Sequence, residues 1–462
     1  MPDGISTGIL IGYSNISSIP FIPDGRTARK GGSGGPKPNS PSIRLIILTA
    51  GASGVTHSMT IQNSKPIRMR RTATRKKILF YSHDTYGLGH IQRVLAIGRA
   101  ISRTRSATVL IVSGSGFLHQ LDIPPDIDTI KLPTVLKIGE ERYRSRYLPL
   151  HLDSIIRLRG KLLLEAARSF RPDVFVVDNV PLGLKGEALP TLRELRESQS
   201  RCRIILTLRD ILDDPDKITR CWTRDGVYQA LADYYDAVLV FGLREIYDVT
   251  REYRIPAETA GRFRFCGYID KGEAGPPDRT IRDRLGINGH KLVLITVGGG
   301  GDGGPLIETS LRALAARGKD PITGMAALGP DFPPERERCL RHRHSRDRHL
   351  IITRFIPRLP QVMQAADLVI SMGGYNTLSE ILSLGKPAIV VPRVHPRREQ
   401  LIRARSLADR GGFEVIHPDR LGPETLSLAI HNRLGRMPGR PIGVDLDGLR
   451  RSTEIFRELL AE

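Results

Sequence analysis

Cysteine is scarce in this sequence of 462 residues: four occur, Cys202, Cys221, Cys266 and Cys339, with no CxxC pair among them. Such spacing argues against a disulfide scaffold and a cysteine-built zinc cluster, and it fits a reducing, cytoplasmic setting. Aromatic residues are also few, at 5% with a single tryptophan, so the aliphatic side chains typical of buried parallel strands must fill the interior. Long hydrophobic runs are missing. Stretches such as "LVLIT" and "VFVV" are strand-sized, far short of the roughly 18 to 20 apolar residues that span a bilayer. The amino terminus has no basic stretch leading into a long apolar core, and "LIILTAGASG" is too deep and too short for a signal peptide.

Acidic residues are outnumbered, 49 against 70 Lys and Arg, for a net charge of +21. The excess is uneven: residues 1–77 hold twelve Lys or Arg against two Asp, which is +10 of the total. What is left is spread thinly, so no nucleic-acid partner is expected. A broad basic surface suits an anionic membrane face or a phosphorylated substrate, and equally an arginine-rich proteome.

The length predicts two or three domains. Residues 1–74, rich in Ser, Gly, Pro and Arg ("PDGRTARKGGSGGPKPNSPS"), show no periodicity and read as a disordered basic leader. Met69 opens "MRRTATRKKILFYSHD", a natural start, and the expectation is that residues 1–68 are not translated in the native host. An intact mass from that host tests this.

From residue 77 the pattern is strand, glycine turn, helix. "KILFYS" precedes apolar residues at helical spacing (Ile91, Val94, Leu95, Ile97, Ile101), followed by the strands "ATVLIVSG", "VFVVDN", "RIILTLRD" and "AVLVFG". After a Gly- and Pro-rich linker at "FCGYIDKGEAGPPDRT", a second series begins at "KLVLIT" and runs through "GMAAL", "LIITRFI", "DLVISM" and "PAIVVP". The alternation predicts an α/β fold of two Rossmann-like, doubly wound parallel sheets facing a cleft. The expected domains are 75–268 and 269–440, with 441–462 as an amphipathic closing helix.

Three glycine-rich turns carry the candidate chemistry. "VGGGGDGGP" joins a strand to a helix, and Gly298, Gly299, Gly300 and Gly301 would let backbone N–H groups surround phosphate oxygens. The same glycines also suit a flexible surface loop, and without GK[ST] the stretch is not a Walker A loop. In "SMGGYNTLSEILSLGKPAIVVP", Ser371, Gly373, Gly374, Asn376 and Thr377 lie at a helix start able to hold a diphosphate. Glu380, one turn further in, could accept from two vicinal ribose hydroxyls. In "YSHDTYGLGH", Gly87 and Gly89 leave room near the cleft, and His90 has a side-chain pKa suited to proton abstraction. A dinucleotide reading of this GxG is weak, because the third small residue and the acidic residue after the second strand are missing.

Residues 354–392, "RFIPRLPQVMQAADLVISMGGYNTLSEILSLGKPAIVVP", resemble the nucleotide-binding half of GT-B glycosyltransferases. The whole chain from residue 77 is similar to the family 28 group around the peptidoglycan-precursor N-acetylglucosaminyltransferases. The resemblance implies that the backbone at Ile356 reads the base. It puts Ser371, Gly373, Gly374, Asn376 and Thr377 on the diphosphate, Glu380 on ribose, and Glu399 and Gln400 of "HPRREQ" on the donor sugar. The family often has an asparagine soon after that glutamine. Here "QLIRARS" follows, so sugar identity is not secured.

On this resemblance the first domain takes the acceptor and the second the nucleotide-sugar donor. His90 is the expected base of an inverting transfer to a hydroxyl acceptor, lipid-linked or a glycan. Asp178 ("VFVVD") and Asp210 ("RIILTLRD") are alternative bases or orienting groups, and Arg209 is expected to meet an anionic acceptor or the donor diphosphate. His83 and Asp84 are further acceptor candidates, and "RYRSRY" at 142–147 reads as a solvated basic loop. No DxD cluster is evident in the donor half, so neither a metal nor a cofactor is expected beyond the donor itself, with UDP as its nucleotide. Peripheral contact with the inner membrane face is expected through basic and apolar patches. Two rivals share the fold. A sugar-nucleotide 2-epimerase has a Gly-Thr-Arg-Pro-Glu type turn that "SHDTYGLGH" does not match, and a non-catalytic sugar-nucleotide-binding protein would bind donor without turnover.

Overall fold

A computed structural model describes residues 75–461, apart from 86, 88, 105–106, 140, 199–200, 273, 277, 279, 288, 300 and 436–442. The basic leader at 1–74 lies outside the described residues.

The first half carries β1 (Lys76–Ser82), β2 (Ala107–Ser113) and β3 (Ile127–Lys131), then a hairpin of β4 (Val135–Gly139) and β5 (Arg142–Ser145). β6 (Val174–Asp178), β7 (Arg203–Arg209), β8 (Ala237–Phe241) and β9 (Phe263–Phe265) follow. All but the hairpin form one parallel sheet in the order β3-β2-β1-β6-β7-β8-β9. Its central strands are apolar along their length because helices cover both faces. β1 pairs with β6 in a register that sets Ser82 beside Asp178. Strand order reverses there, so the carboxyl ends of β1 and β6 open a crevice.

The second half repeats the plan with β10 (Lys291–Thr296), β11 (Ile322–Ala327), β12 (Leu350–Thr353), β13 (Leu368–Ser371), β14 (Ala388–Val390) and β15 (Glu414–Val415). Its parallel order is β12-β11-β10-β13-β14-β15, with Thr296 beside Ser371 at its own switch point. The predicted two-sheet α/β architecture is the one observed. The short strands β3, β9 and β15 were not read from sequence, since two to five residues give too little periodicity to see. "RYRSRY" is corrected: Arg142–Ser145 is a strand paired antiparallel with β4, with Arg142 and Arg144 exposed and Tyr143 and Ser145 half-buried.

One apolar cluster runs through both halves, from Ile78 and Phe80 past Tyr268 to Leu294 and Tyr375. The closing helix, Gly448–Ala461, packs Phe456 against Phe80 of the first sheet with ring centroids 6.2 Å apart. Burying that phenylalanine contributes about 1.5–3 kcal/mol, and it ties the chain's end to the strand that begins the fold.

Candidate active site

A cavity of about 300 Å³ lies between the halves at the carboxyl ends of both sheets. Gly87, Gly89, His90 and Arg209 reach it from the first half; Gly298, Gly299, Ile356, Gly374, Asn376, Thr377, Glu380, Glu399 and Gln400 reach it from the second. The two glycine turns meet closely, for a Cβ on Gly299 would stand 3.4 Å from the Cα of Gly87. Gly87 and Gly298 have φ of 66° and 68°, a left-handed backbone that other residues adopt at a cost.

The helix Tyr375–Ser383 opens at Gly374 with no side-chain cap, which leaves its first N–H groups to the cavity. Asn376 donates from Nδ2 across the cleft, to the carbonyl of Gly89 (3.4 Å) and Oε1 of Gln92 (3.3 Å). Glu380 is held by Lys271 of the linker, Nζ to Oε1 2.9 Å, with both side chains largely buried.

Not every expected residue reaches the wall. Ser371 is fully buried with its Oγ unpartnered, and Gly373 packs under the wall, where a Cβ would meet the Gln400 carbonyl at 2.7 Å. Both support the helix start instead of lining the cavity. Gly301 is exposed and off the wall, and Gly300 lies outside the described residues. Glu399 is buried and paired with Arg393, with Oε2 left without a partner. Burial works against its charge, but Arg393 and Arg209 outweigh that and hold the carboxyl below its ordinary range. Gln400 Oε1 accepts from the Arg393 backbone N–H (3.0 Å).

A second cavity, of about 730 Å³, lies mainly in the first half and shares His90, Arg209, Asp302, Arg393 and Glu399 with the first. His90 therefore stands at the partition. Its Nδ1 is 2.8 Å from Asp178 Oδ2. Asp178 is wholly buried, and its Oδ1 accepts from Arg93 Nη2 (2.7 Å), Arg93 Nε (3.1 Å) and Thr207 Oγ1 (2.9 Å). Burial opposes ionisation of Asp178, but Arg93 and His90 outweigh it and keep the carboxyl well below the usual carboxylate range. An ionised carboxylate only accepts, so Nδ1 carries the proton and Nε2 presents a lone pair. Burial lowers the His90 pKa, against the pull of Asp178. Of the two roles expected for Asp178, this geometry is the one that suits orienting His90.

Asp210 is partnered elsewhere. Its carboxylate takes Arg403 Nε at 2.9 Å on each oxygen, Arg403 Nη2 at 2.8 Å and the Tyr268 hydroxyl at 3.1 Å, all buried. Arg403 also donates to the carbonyls of Gly373 (3.0 Å) and Ile211 (3.0 Å). Asp210 is the first half's share of a latch beneath the start of the helix Tyr375–Ser383. His83, its ring 4.8 Å from that of His90, lines the second cavity, whereas Asp84 turns inward to the Ser113 hydroxyl (2.9 Å) and the Ile91 N–H (3.0 Å).

Arg93, Lys271, Arg393 and Arg403 were missed from sequence. Arg403 had a readable signal, an arginine on the helix Glu399–Gly411 among the buried Leu401, Ala404 and Leu407. A charge on an apolar face needs a buried partner.

Residues 294–435 match the model of the Glycosyltransferase family 28 C-terminal domain. The expected resemblance to the family 28 group is shown by that match and by its relatives. The UDP-N-acetylglucosamine--N-acetylmuramyl-(pentapeptide) pyrophosphoryl-undecaprenol N-acetylglucosamine transferase of Rubrobacter xylanophilus is 32% identical over 154 residues, 33% of this chain and 42% of the relative. The enzyme of the same name from Bacillus cytotoxicus is 27% identical over 149 residues, 32% of this chain and 40% of its own. The chain thus spans about two fifths of the length of these curated relatives. Among solved structures, MurG of Acinetobacter baumannii aligns over 83% of this chain and 99% of its own with a TM-score of 0.52 and 14% identity. Methanocaldococcus jannaschii UDP-GlcNAc 2-epimerase, solved with UDP-GlcNAc and UDP, aligns over 84% and 100% with a TM-score of 0.54 and 13% identity. At such identities the likeness shows the fold that the family 28 domain shares with both.

Proposed function

We propose that this protein is an inverting glycosyltransferase that moves a sugar from a UDP-sugar to a hydroxyl acceptor. The observation that carries the reading is the place of His90, between two cavities with its Nδ1 fixed by Asp178. The smaller cavity takes the donor: backbone at Ile356 meets the base, Glu380 the ribose hydroxyls, and Glu399 with Gln400 the sugar. The N–H groups from Gly374 to Thr377 and the turn at Gly298 and Gly299 surround the diphosphate.

In the transfer, His90 Nε2 takes the acceptor hydroxyl proton as the acceptor oxygen bonds to the anomeric carbon. The bond from that carbon to the β-phosphate oxygen breaks, and its electron pair leaves on UDP. Backbone N–H groups meet the charge that develops there. In this scheme protein groups supply the charge stabilisation, with no further cofactor or metal.

The test is UDP-sugar binding followed by turnover. Saturable binding that Glu380→Ala weakens, with UDP released only when an acceptor is present, supports the proposal. UDP-sugar converted to its 2-epimer without acceptor would establish the epimerase instead, and binding indifferent to His90→Ala with no turnover would leave a sugar-nucleotide-binding protein. The roomy second cavity favours transfer, because an epimerase has no second substrate to house.

Peripheral contact with the inner membrane face belongs to the same proposal. Ile138, Tyr147, Leu148, Leu150, Leu158 and Leu162 are exposed on and near the β4–β5 hairpin and the helix Leu152–Phe170, among Arg142, Arg144, Arg157 and Lys161. Apolar groups flanked by cations suit an anionic bilayer surface. Flotation with anionic vesicles is the expected outcome; protein left at the bottom of the gradient would remove this part.

A further inference from the structure

The linker between the halves reads in the sequence as a bare connection, but it enters the smaller cavity. Residues 268–270 run antiparallel to the segment that precedes the closing helix. The Tyr268 N–H donates to the Asp445 carbonyl (2.8 Å), the Asp270 N–H to the Leu446 carbonyl (3.2 Å), and the Gly448 N–H to the Tyr268 carbonyl (2.9 Å). Asp270 Oδ1 then accepts the Gly272 N–H (2.8 Å), and Gly272 has a φ of 62°, a left-handed turn that glycine takes without strain. Lys271 lies between these two fixed points, and its side chain reaches Glu380.

The pair is nearly dry. The side chains of Lys271 and Glu380 are 6% and 15% exposed, with Nζ 2.9 Å from Oε1. A charge-assisted bond so shielded is stronger than it would be in water. Packing alone does not aim Glu380. A recess of about 210 Å³ lies behind the pair against Gly272, Gln364, Ser383 and Leu384, and Lys271 and Glu380 border both this recess and the smaller cavity. A carboxylate with space on two sides can turn to either. What selects one direction is the ammonium, itself fixed by the linker.

We infer that Lys271 is a positioning residue of the nucleotide site: it holds Glu380 toward the cavity, so that the carboxylate meets both hydroxyls of a ribose and the site prefers a ribonucleotide to its 2′-deoxy counterpart. The inference rests on the proposed reading of this cavity as the donor side, and it adds to that site a residue from outside the glycine turns and the helix start. Each carboxylate oxygen has two lone pairs, so Oε1 can keep its lysine bond while accepting one hydroxyl, and Oε2 takes the other. Without the ammonium Glu380 can swing into the recess, and the second hydroxyl then gains little.

The full chain and its variants are titrated with UDP and 2′-deoxy-UDP by isothermal calorimetry. The unaltered chain is expected to bind UDP about tenfold tighter than 2′-deoxy-UDP, the low end for one hydrogen bond to a charged group. Lys271→Met should weaken UDP by about tenfold and shrink the preference to about threefold or less. Lys271→Arg, which keeps the charge and has the recess to fit into, should recover most of both. In the Glu380→Ala background Lys271→Met should cost nothing further, because its effect passes through that carboxylate.

A Lys271→Met variant that binds UDP as the parent does would overturn the inference. So would one that weakens both nucleotides by the same factor, which is what a merely structural role gives, or a further loss of about tenfold in the Glu380→Ala background. Equal binding of the two nucleotides by the unaltered chain would overturn the ribose preference and the inference with it. Should Lys271→Met not fold by circular dichroism, Lys271→Gln carries the same comparison. The transferase reading fails in its own way: an unaltered chain that binds no UDP removes both, whereas UDP binding that Glu380→Ala weakens and Lys271→Met does not removes the inference alone.

Discussion

The two halves share one fold and build their sites in different ways. The second half's wall of the smaller cavity is made of backbone: glycine turns at Gly298 and Gly299 and an uncapped helix start at Gly374, with Glu380 one turn on. The larger cavity is made of side chains from distant segments, with His90, Arg209 and Trp222 contributed by separate elements of the first half. A backbone site must be written contiguously, because the turn and the helix that follow one another create it. A side-chain site needs only that its parts converge after folding.

The sharpest way to separate the halves is His90→Ala, which should cut transfer by about 10²–10⁴-fold and leave UDP affinity unchanged by isothermal calorimetry. A fall in donor affinity would mean that the halves do not divide the labour as proposed. Next in size is the latch between them. Asp210→Ala leaves Arg403 buried without its carboxylate, and the loss should be about 3–5 kcal/mol in urea unfolding. A variant as stable as the parent would show that the halves hold together without this pair.

In the smaller cavity, Glu380→Ala should weaken UDP by about 1.5–3 kcal/mol, the range for a hydrogen bond to a charged group. UDP affinity unchanged by calorimetry would take Glu380 out of the proposed ribose contact. The smallest effect is on the pH profile. His90 must be neutral to accept a proton, so transfer is full at high pH and falls as pH drops through its pKa. Burial puts that pKa below the ordinary value, so the acid limb should lie below about 6.5. An acid limb above that value would point to a different base.

Much of this was legible in the chain itself. The apolar strands, the glycine turns and the helix starts follow from local spacing, and so did the choice of Asn376, Thr377 and Glu380 as lining residues. Ser371 and Gly373 sit behind the wall, because a motif says which residues occur together, not which face the space. Arg93, Lys271 and Arg393 were invisible because each acts through a partner far along the chain, as Lys271 does through Glu380.

Asp178 and Asp210 show the division most clearly. Asp178 ends one buried strand of the first sheet and Asp210 follows directly on the next, and by sequence alone either could serve as base or support. By itself the sequence determined two parallel α/β sheets, their loops at one edge and a phosphate-suited turn in each half, because these depend on local propensity and periodicity. Only the tertiary structure decided that Asp178 faces His90 while Asp210 faces Arg403. Which partner a buried carboxylate finds depends on which side chains other segments bring within about 3 Å, and no local rule fixes that.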